Sequence, residues 1–475
     1  MEKKQKTKRE QVIHLLKKQL INDVKELDSY KLSISHPASA GIDLGSREIY
    51  VALNPAIAAE LGLPIVHVFN TFTSGLFACR DLLLECGVKS VAMESTSVYW
   101  TTIYSILEES DIEVFLVNPK KFRMVPGRKT DILDCQWLQT LHLYGLLRGS
   151  FHPGEKIAQL RSYMRERDNL VKDRSRYVQR MQKALIKMNL LLPNVVDDIT
   201  GKTGMLIINA ILEGERDPYK LAAFRDGRCK KSEDEIAGSL QGFYKQDQLD
   251  LLKLNYDIFT FFDHNVARID TQIAGLLDTF PLKEEATKPC PASAKSKHAH
   301  RGKNDLRTEK DLRQTLFHIT GTDLTAITGL QANTILQIIS EVGLDMGKFP
   351  TANHFASYLG FVPHQKITGG YVMSSRTDRI KSPAAQAFKK VVPSISQGQS
   401  ALGAFYRRLA PKIGKAKAIV AVCRKLAIIF YNTLKYGTTF IEKGQEDYRL
   451  KQEQREKALL IKLAKKHDML LQPCG

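Results

Sequence analysis

The order of apolar segments between residues 40 and 117 constrains the fold of this chain more than any other feature. Three strand-like segments come first: GIDLG and EIYVALN, which are joined by a tight turn at Ser46 and Arg47, and PIVHVFN. Helical and strand-like segments then alternate: 74–86 (helix), VKSVAMES (strand), 98–110 (helix), DIEVFLVNP (strand) and 130–146 (helix). Three hairpin-linked strands followed by alternating helices and strands are typical of an RNase H-like α/β domain. We therefore predict such a domain at residues 39–152, after a basic leader at 1–38.

Four acidic residues mark the ends of these predicted elements. Asp43 interrupts the apolar strand AGIDLG, and Glu94 ends VAMES. A lone buried carboxylate is destabilising, so each needs a partner, usually a cation. Asp131 and Asp134 are three residues apart near a helix start and share one face. Each acid alone has a simple alternative, such as bonding turn amides or capping a helix. Together they suit Mg²⁺ or Mn²⁺, which can activate a nucleophile and stabilise the leaving oxygen of a phosphodiester.

The distribution of charge predicts a polyanionic partner. The net charge is +19, and no Asp or Glu lies between Arg379 and Ile441, against twelve Lys and Arg. Such an excess favours nucleic acid through counterion release. A membrane surface is disfavoured because no amphipathic anchor accompanies the charges, and no apolar run is long enough to span a bilayer. The predicted nucleic-acid-binding residues are Lys120, Lys121, Arg123, Arg128, Lys129, Arg376, Arg379, Lys381, Arg407 and Arg408.

Cysteine usage and the N-terminal sequence predict a cytoplasmic protein. The seven cysteines are scattered singly, with no C-x-x-C pair, which argues against a disulfide framework or a zinc knuckle. The first residues, MEKKQKTKRE, contain no apolar signal core.

The rest of the chain is predicted to be mostly helical. Two long helical patterns, at 155–192 and 240–278, predict an antiparallel coiled-coil arm at 153–282, although a plain helical bundle fits them equally well. An insert of unassigned role (196–240) separates them. The following residues are poor in large apolar side chains and predict a flexible linker at 283–313. A helical C-terminal domain (314–441) and a charged terminal helix (442–475) complete the chain.

Four motifs resemble a known family: GIDLGSREIYVAL, VAMESTSVYW, VNPKKFRMVPGRKTDILDCQWL and LGAFYRRLAPKIGKAKAIVAVCRKLAIIFYNTLKYG. They are similar to the DEDD transposases of bacterial insertion sequences of the IS110 type, nearest its IS1111 branch. The resemblance implies a RuvC-like N-terminal domain with catalytic Asp43, Glu94, Asp131 and Asp134, and a C-terminal transposase domain with a serine nucleophile. It also implies a structured guide RNA that pairs with donor and target DNA, dimers to tetramers, and a nucleoid-associated place in bacterial cytoplasm.

The C-terminal motifs depart from that family in two places. In PHQKITGGYVMSSRTDRIKS the family serine is replaced by Thr368, before a glycine pair, while Ser374 and Ser375 follow. Thr368 as nucleophile, one of the serines as nucleophile, and loss of covalent activity all remain open. In ITGLQANTILQIISEVG, similar to a phosphate-binding helix-hairpin-helix, Gly329 is present but Gln331 and Ala332 stand where a second glycine is common. A structural helix turn fits that segment equally well.

These observations predict a mobile-element recombinase that is guided by RNA and cuts, exchanges and religates DNA. Two alternatives remain. A RuvC-like nuclease would hydrolyse DNA junctions with water and never link to DNA, so covalent trapping separates it from a recombinase. A nucleic-acid-binding protein with an inactive RNase H fold is disfavoured by the intact set of carboxylates.

Overall fold

A computed structural model describes residues 33–95, 98–118, 130–147, 149, 153–283, 290–291, 302–363, 366–369, 371–374, 377, 382–437, 439–467 and 469. The chain divides into two compact units, Met1–His152 and Pro153–Gly475.

The first unit is built on a five-stranded mixed sheet. Its elements are β1 (Ser39–Leu44), β2 (Glu48–Leu53), α1 (Pro55–Leu61), β3 (Val66–Asn70), α2 (Thr73–Glu85), β4 (Ser90–Glu94), α3 (Trp100–Glu108), β5 (Glu113–Val117) and α4 (Asp131–Leu143). The strand order is β3-β2-β1-β4-β5. The first three strands pair antiparallel, whereas β4 and β5 add in parallel. This topology confirms the predicted RNase H-like fold.

Strand alternation gives the sheet two different faces. Ile42, Val51 and Met93 lie on one face and pack in a core with α2 and α3, through residues such as Leu83 and Leu107. Residues at the intervening positions of the same strands, among them Asp43 and Glu94, lie on the other face. Helix α4 packs against that second face. Burying apolar residues on one face thus leaves polar ones for the other.

The second unit contains two antiparallel helices of 33 residues each, α5 (Glu155–Lys187) and α10 (Gln246–Asp278). Arg167 and Asp270 form a nearly buried ion pair between them, with Nε and Oδ1 2.5 Å apart. The insert folds at their far end into four short helices: α6 (Leu192–Val195), α7 (Lys202–Leu212), α8 (Pro218–Ala222) and α9 (Glu233–Ser239). These helices share a core with the ends of α5 and α10.

Residues 302–313, which composition placed in the flexible linker, lie against these two long helices. Leu306 is 2% exposed, Arg307 donates to the Asp263 carboxylate (2.6 Å), and Lys310 pairs with Asp278 (2.6 Å). Charged contacts rather than an apolar pattern hold this segment, so a search for apolar periodicity does not find it.

The remainder of the second unit is mostly helical. It contains α11 (Leu312–Thr320), α12 (Ala332–Val342), α13 (Ala352–Tyr358), the hairpin β6 (Lys366–Thr368) and β7 (Tyr371–Ser374), α14 (Pro383–Gln397), α15 (Ala401–Ile413), α16 (Lys415–Tyr436) and α17 (Thr439–Lys466). Helix α5 docks on α12 because Arg165 donates two hydrogen bonds to the buried carboxylate of Glu341, at 2.8 and 2.9 Å.

Candidate active site

Helix α4 runs antiparallel to β1 and β4 across the second face of the sheet. Its last turn lies at the start of these strands, because the Leu143 carbonyl accepts from Ser35 N (2.8 Å) and His142 Nε2 lies 2.9 Å from Ser90 Oγ. Its middle crosses β1 at Gly41, where an added Cβ would lie 2.8 Å from Gln139 Cα. Its first turn is therefore directed towards the ends of β1 and β4.

The two strand acids lie at those ends. The parallel register pairs Ile42 with Met93, so Asp43 and Glu94 follow at equivalent positions on adjacent strands. Residues opposite each other in parallel strands point to the same face, here the one that α4 covers. Glu94 is buried. We call the region around these two strand ends the carboxylate end of the sheet.

The two helix acids are brought to the same region. Asp131 begins α4, and Asp134 lies three residues later in its first turn. Thr130 fixes the start of the helix, since its side chain accepts a hydrogen bond from Leu133 N (3.3 Å). Acidic residues in a first turn also interact favourably with the helix dipole. The backbone thus places all four predicted catalytic acids at the carboxylate end.

The negative charge of this region contributes to the raised pKa values of two neighbouring side chains, Tyr50 and Cys135. The pKa of Tyr50 is raised to about 12, first by its hydrogen bond to Glu48, with smaller contributions from Asp131 and Asp43. The pKa of the Cys135 thiol is raised to about 12, first by burial and next by Asp43, and Asp134 adds to it. Acids from strand and helix therefore act on the same side chains, as groups at one site do.

The donor set fits a hard divalent cation, although the side chains are not gathered around a single point. Within the described ranges, no group of three or more His, Cys, Asp and Glu is close enough to hold a metal ion. Four carboxylates supply only oxygen donors, the ligands that Mg²⁺ and Mn²⁺ prefer. The fit consequently rests on placement and donor chemistry.

Two of the three candidate nucleophiles, Thr368 and Ser374, lie on the β6–β7 hairpin of the second unit. Thr368 pairs with Tyr371 next to the turn, where Gly369 has φ of +57°, and Ser374 pairs with Lys366. Thr368 is exposed and Ser374 is half-buried. Thr368 and Ser374 lie on opposite strands and are offset diagonally, so their positions are roughly 7–8 Å apart. Ser375, Arg376, Arg379 and Lys381 lie outside the described residues.

Two of the predicted nucleic-acid-binding residues, Arg407 and Arg408, lie within the described ranges, and their contacts differ. Arg407 is exposed, but its Nη1 donates to the carbonyls of Ser396 (2.7 Å) and Gly398 (2.8 Å) at the end of α14. Arg408 is also exposed and lies over the Phe405 ring, 5.7 Å from its centroid. Arg407 therefore caps a helix end, whereas Arg408 faces solvent. The predicted binding residues at 120, 121, 123, 128 and 129 lie outside the described part of the chain.

Gly329 has a structural reason to be glycine. Its φ is +88°, and an added Cβ would lie 2.5 Å from Cγ1 of Ile395 on α14. Gln331, the residue just before the following helix, makes no side-chain capping bond. Packing thus accounts for Gly329, which supports the structural interpretation of this turn.

Sequence reasoning missed three residues around the carboxylate end. Gly41 permits the approach of α4, and Tyr50 and Glu48 lie beside Asp43 on β2. The alternation of polar and apolar residues in EIYVAL could have indicated that Glu48 and Tyr50 share a face with Asp43. Exposed lysines also cluster where α15 meets α16, at positions 412, 415 and 417. We call these three lysines the elbow lysines.

Comparison with known families gives two matches. The family described as a transposase, of the DEDD type of IS110, matches residues 40–189, which span the sheet, α4 and α5. The family described as transposase IS116/IS110/IS902 matches residues 321–388, which include α12 and the β6–β7 hairpin. No curated protein matches the chain. None of the helices in the described ranges is long and apolar enough to cross a membrane.

Proposed function

Since this chain belongs to the IS110-family DEDD transposases, and is thus an enzyme that recombines DNA, we propose that it cuts DNA at the carboxylate end of its sheet. The observation that carries this proposal is the in-register placement of Asp43 and Glu94 beneath the first turn of α4. The matches do not distinguish branches within the family.

Divalent metal is general in this family, and the four acids are the residues that would hold it here. The two strand acids, Asp43 and Glu94, are fixed by the sheet. The two helix acids, Asp131 and Asp134, move with α4. The position of this helix therefore sets the distance between the strand acids and the helix acids. A bound Mg²⁺ or Mn²⁺ supplies charge neutralisation for the attacking and leaving oxygens. The protein supplies the position of each carboxylate and excludes water from the sheet side, where Glu94 is buried.

The attacking group we propose is the hydroxyl of Thr368, Ser374 or Ser375. Its oxygen bonds to phosphorus, its proton passes to a base, and the displaced DNA oxygen leaves as a free hydroxyl. Attack by a DNA hydroxyl on the resulting phosphate ester releases the protein and religates the strand. Exposure at the hairpin turn supports Thr368, while its methyl group hinders approach to phosphorus.

Covalent trapping tests this mechanism. A DNA substrate nicked so that the leaving fragment diffuses away should shift the protein on a denaturing gel in the presence of Mg²⁺. Asp43→Asn should abolish cleavage and trapping while leaving DNA binding within about twofold, because one charge among many contributes little to phosphate contacts. Alanine at 368, 374 and 375, one at a time, should identify the hydroxyl. Full strand transfer by all three variants would leave the hydrolytic nuclease as the better description.

We propose a structured guide RNA and a dimeric or tetrameric assembly as partners beside DNA. The support is chemical: the basic residues suit phosphates, which position a duplex without reading its bases. Sequence choice then needs another source. Protein purified from cells that carry its element should retain a discrete RNA after DNase treatment, and light scattering should give the assembly's mass. Accurate targeting by RNA-free protein would contradict the guide.

A further inference from the structure

Strand β2 brings a tyrosine and a glutamate to the carboxylate end. The antiparallel register places Tyr50 opposite Asp43, so the two side chains share a face of the sheet. Glu48 lies two residues from Tyr50 and on the same face. The residues between and beyond, Ile49 and Val51, are fully buried in the core on the opposite face. The register thus adds two polar side chains to the site that no catalytic motif includes.

The Tyr50 side chain is oriented and accessible. Its hydroxyl donates to Glu48 Oε2 at 2.6 Å, which fixes the direction of the phenol ring. Tyr50 is half-buried and Glu48 is exposed, so the face of β2 remains open beside α4. The negative charges of both Asp43 and Asp131 also contribute to the raised pKa of the Tyr50 phenol.

We propose that Tyr50 contacts the DNA strand at the proposed active site, donating a hydrogen bond to a phosphate oxygen next to the one that is cut, and that Glu48 positions it. This inference rests on the function proposed above.

The composition of the site makes a neutral donor useful there. Carboxylates at this end repel a phosphate, whereas a phenol hydroxyl donates without adding charge. Tyrosine is among the side chains that bond DNA phosphates, and its ring can pack against a sugar or base. Because the hydroxyl has one proton, it turns from Glu48 to the phosphate when DNA arrives. Glu48 holds the ring in place before that step, so it acts as a positioning residue.

Tyr50→Phe tests the contact by removing only the hydroxyl. The probe is a labelled duplex carrying one end of the element that encodes the chain, with Mg²⁺. Hydrogen bonds to charged groups correspond to roughly a tenfold to hundredfold loss in affinity. Loss of a contact made equally in the bound and transition states raises KM and leaves kcat unchanged. We therefore expect a KM increase of about tenfold or more, with kcat within about twofold.

The chain offers a matched control in Tyr104 on α3. Its hydroxyl also donates to a glutamate four residues away, Glu108 (3.5 Å), but the ring is 9% exposed in the core on the opposite face. Tyr104→Phe should leave KM and kcat as in the wild type. Glu48→Gln keeps an acceptor for the Tyr50 hydroxyl and should raise KM less than Glu48→Ala does, a difference that a purely structural role would not produce.

Assaying Asp43→Asn in parallel distinguishes failure of the proposed Tyr50 contact from failure of the proposed carboxylate site. If Asp43→Asn is inactive while Tyr50→Phe has the wild-type KM, the Tyr50 contact is refuted and the carboxylate site stands. A fall in kcat with unchanged KM in Tyr50→Phe also refutes a binding contact. If Asp43→Asn cuts normally, the proposed site itself is wrong. Circular dichroism melting of every variant identifies losses that come from unfolding.

Discussion

Replacing Gly41 by alanine should separate the two halves of the proposed active site without removing a polar group. A Cβ at this position would come closer than 3.0 Å to Cys135 O and Gln139 N, where ordinary contact begins at 3.4 Å. These are backbone atoms of α4, so no side-chain rotation relieves the clash. The helix must withdraw by about 1 Å, and Asp131 and Asp134 move with it.

The expected magnitudes follow from that displacement. Overpacking of this kind costs about 1–3 kcal/mol of folding free energy. A shift of about 1 Å in a catalytic group lowers rates by about a hundredfold. DNA affinity should stay within about twofold, because Gly41→Ala changes no charge.

Single-turnover cleavage of a labelled element-end duplex with Mg²⁺ measures the rate, and urea unfolding measures the stability. Gly275→Ala is the control, since Gly275 lies within helix α10 and an added Cβ there meets no atom within 4 Å. That variant should cleave normally and gain about 0.5–1 kcal/mol. A folded Gly41→Ala protein that cuts at the wild-type rate would refute the view that α4 sets the carboxylate geometry.

Two further predictions concern the basic surface and pH. Replacing all three elbow lysines by alanine should weaken DNA binding and reduce the slope of log K against log salt by about three, about one per phosphate contact. Lys253→Ala, which removes a lysine paired with Asp257, should leave the slope unchanged; an unaltered slope in the triple variant would mean that the elbow does not touch DNA. Burial, followed by the nearby His36, lowers the pKa of His142 to about 4. The folded state therefore resists protonation, and the unfolding free energy should fall by up to about 3 kcal/mol as pH drops from about 6.5 to 4. Urea titrations at several pH values should show a smaller fall in unfolding free energy with decreasing pH in His142→Gln. An equal fall in both proteins would contradict this explanation.

The sheet and its acids were accessible from sequence because both depend on local pattern. Alternation in GIDLG and EIYVAL fixes which residues face the core, and acids that end apolar strands are visible as exceptions to that pattern. The equivalent positions of Asp43 and Glu94 follow once the strand order is known, because neighbouring parallel strands end at the same edge of the sheet. Gly41 could not be interpreted in the same way. Its requirement arises from backbone atoms of residues 135 and 139, far along the chain.

The charge pattern was informative about the partner but not about individual residues. Arg407 belongs to the acid-free segment, yet its guanidinium bonds the carbonyls of Ser396 and Gly398, so composition alone does not reveal its contacts. The same limit applies to Arg307, which lies in a segment of linker-like composition but bonds Asp263. The number of charged residues predicts the overall electrostatic potential of a segment. The role of an individual residue depends on the groups that the fold places within its reach.

The placement of the acids divides the proposed active site into a fixed part and an adjustable part. Asp43 and Glu94 belong to hydrogen-bonded central strands, which hold their separation. Asp131 and Asp134 lie in a helical turn where the dipole and the Thr130 cap stabilise them without a metal. The proposed site thus consists of two preformed halves rather than of an unfolded segment. Gly41 permits the close approach of α4 to β1, which is why a single methyl group there should affect cleavage more than it affects DNA binding.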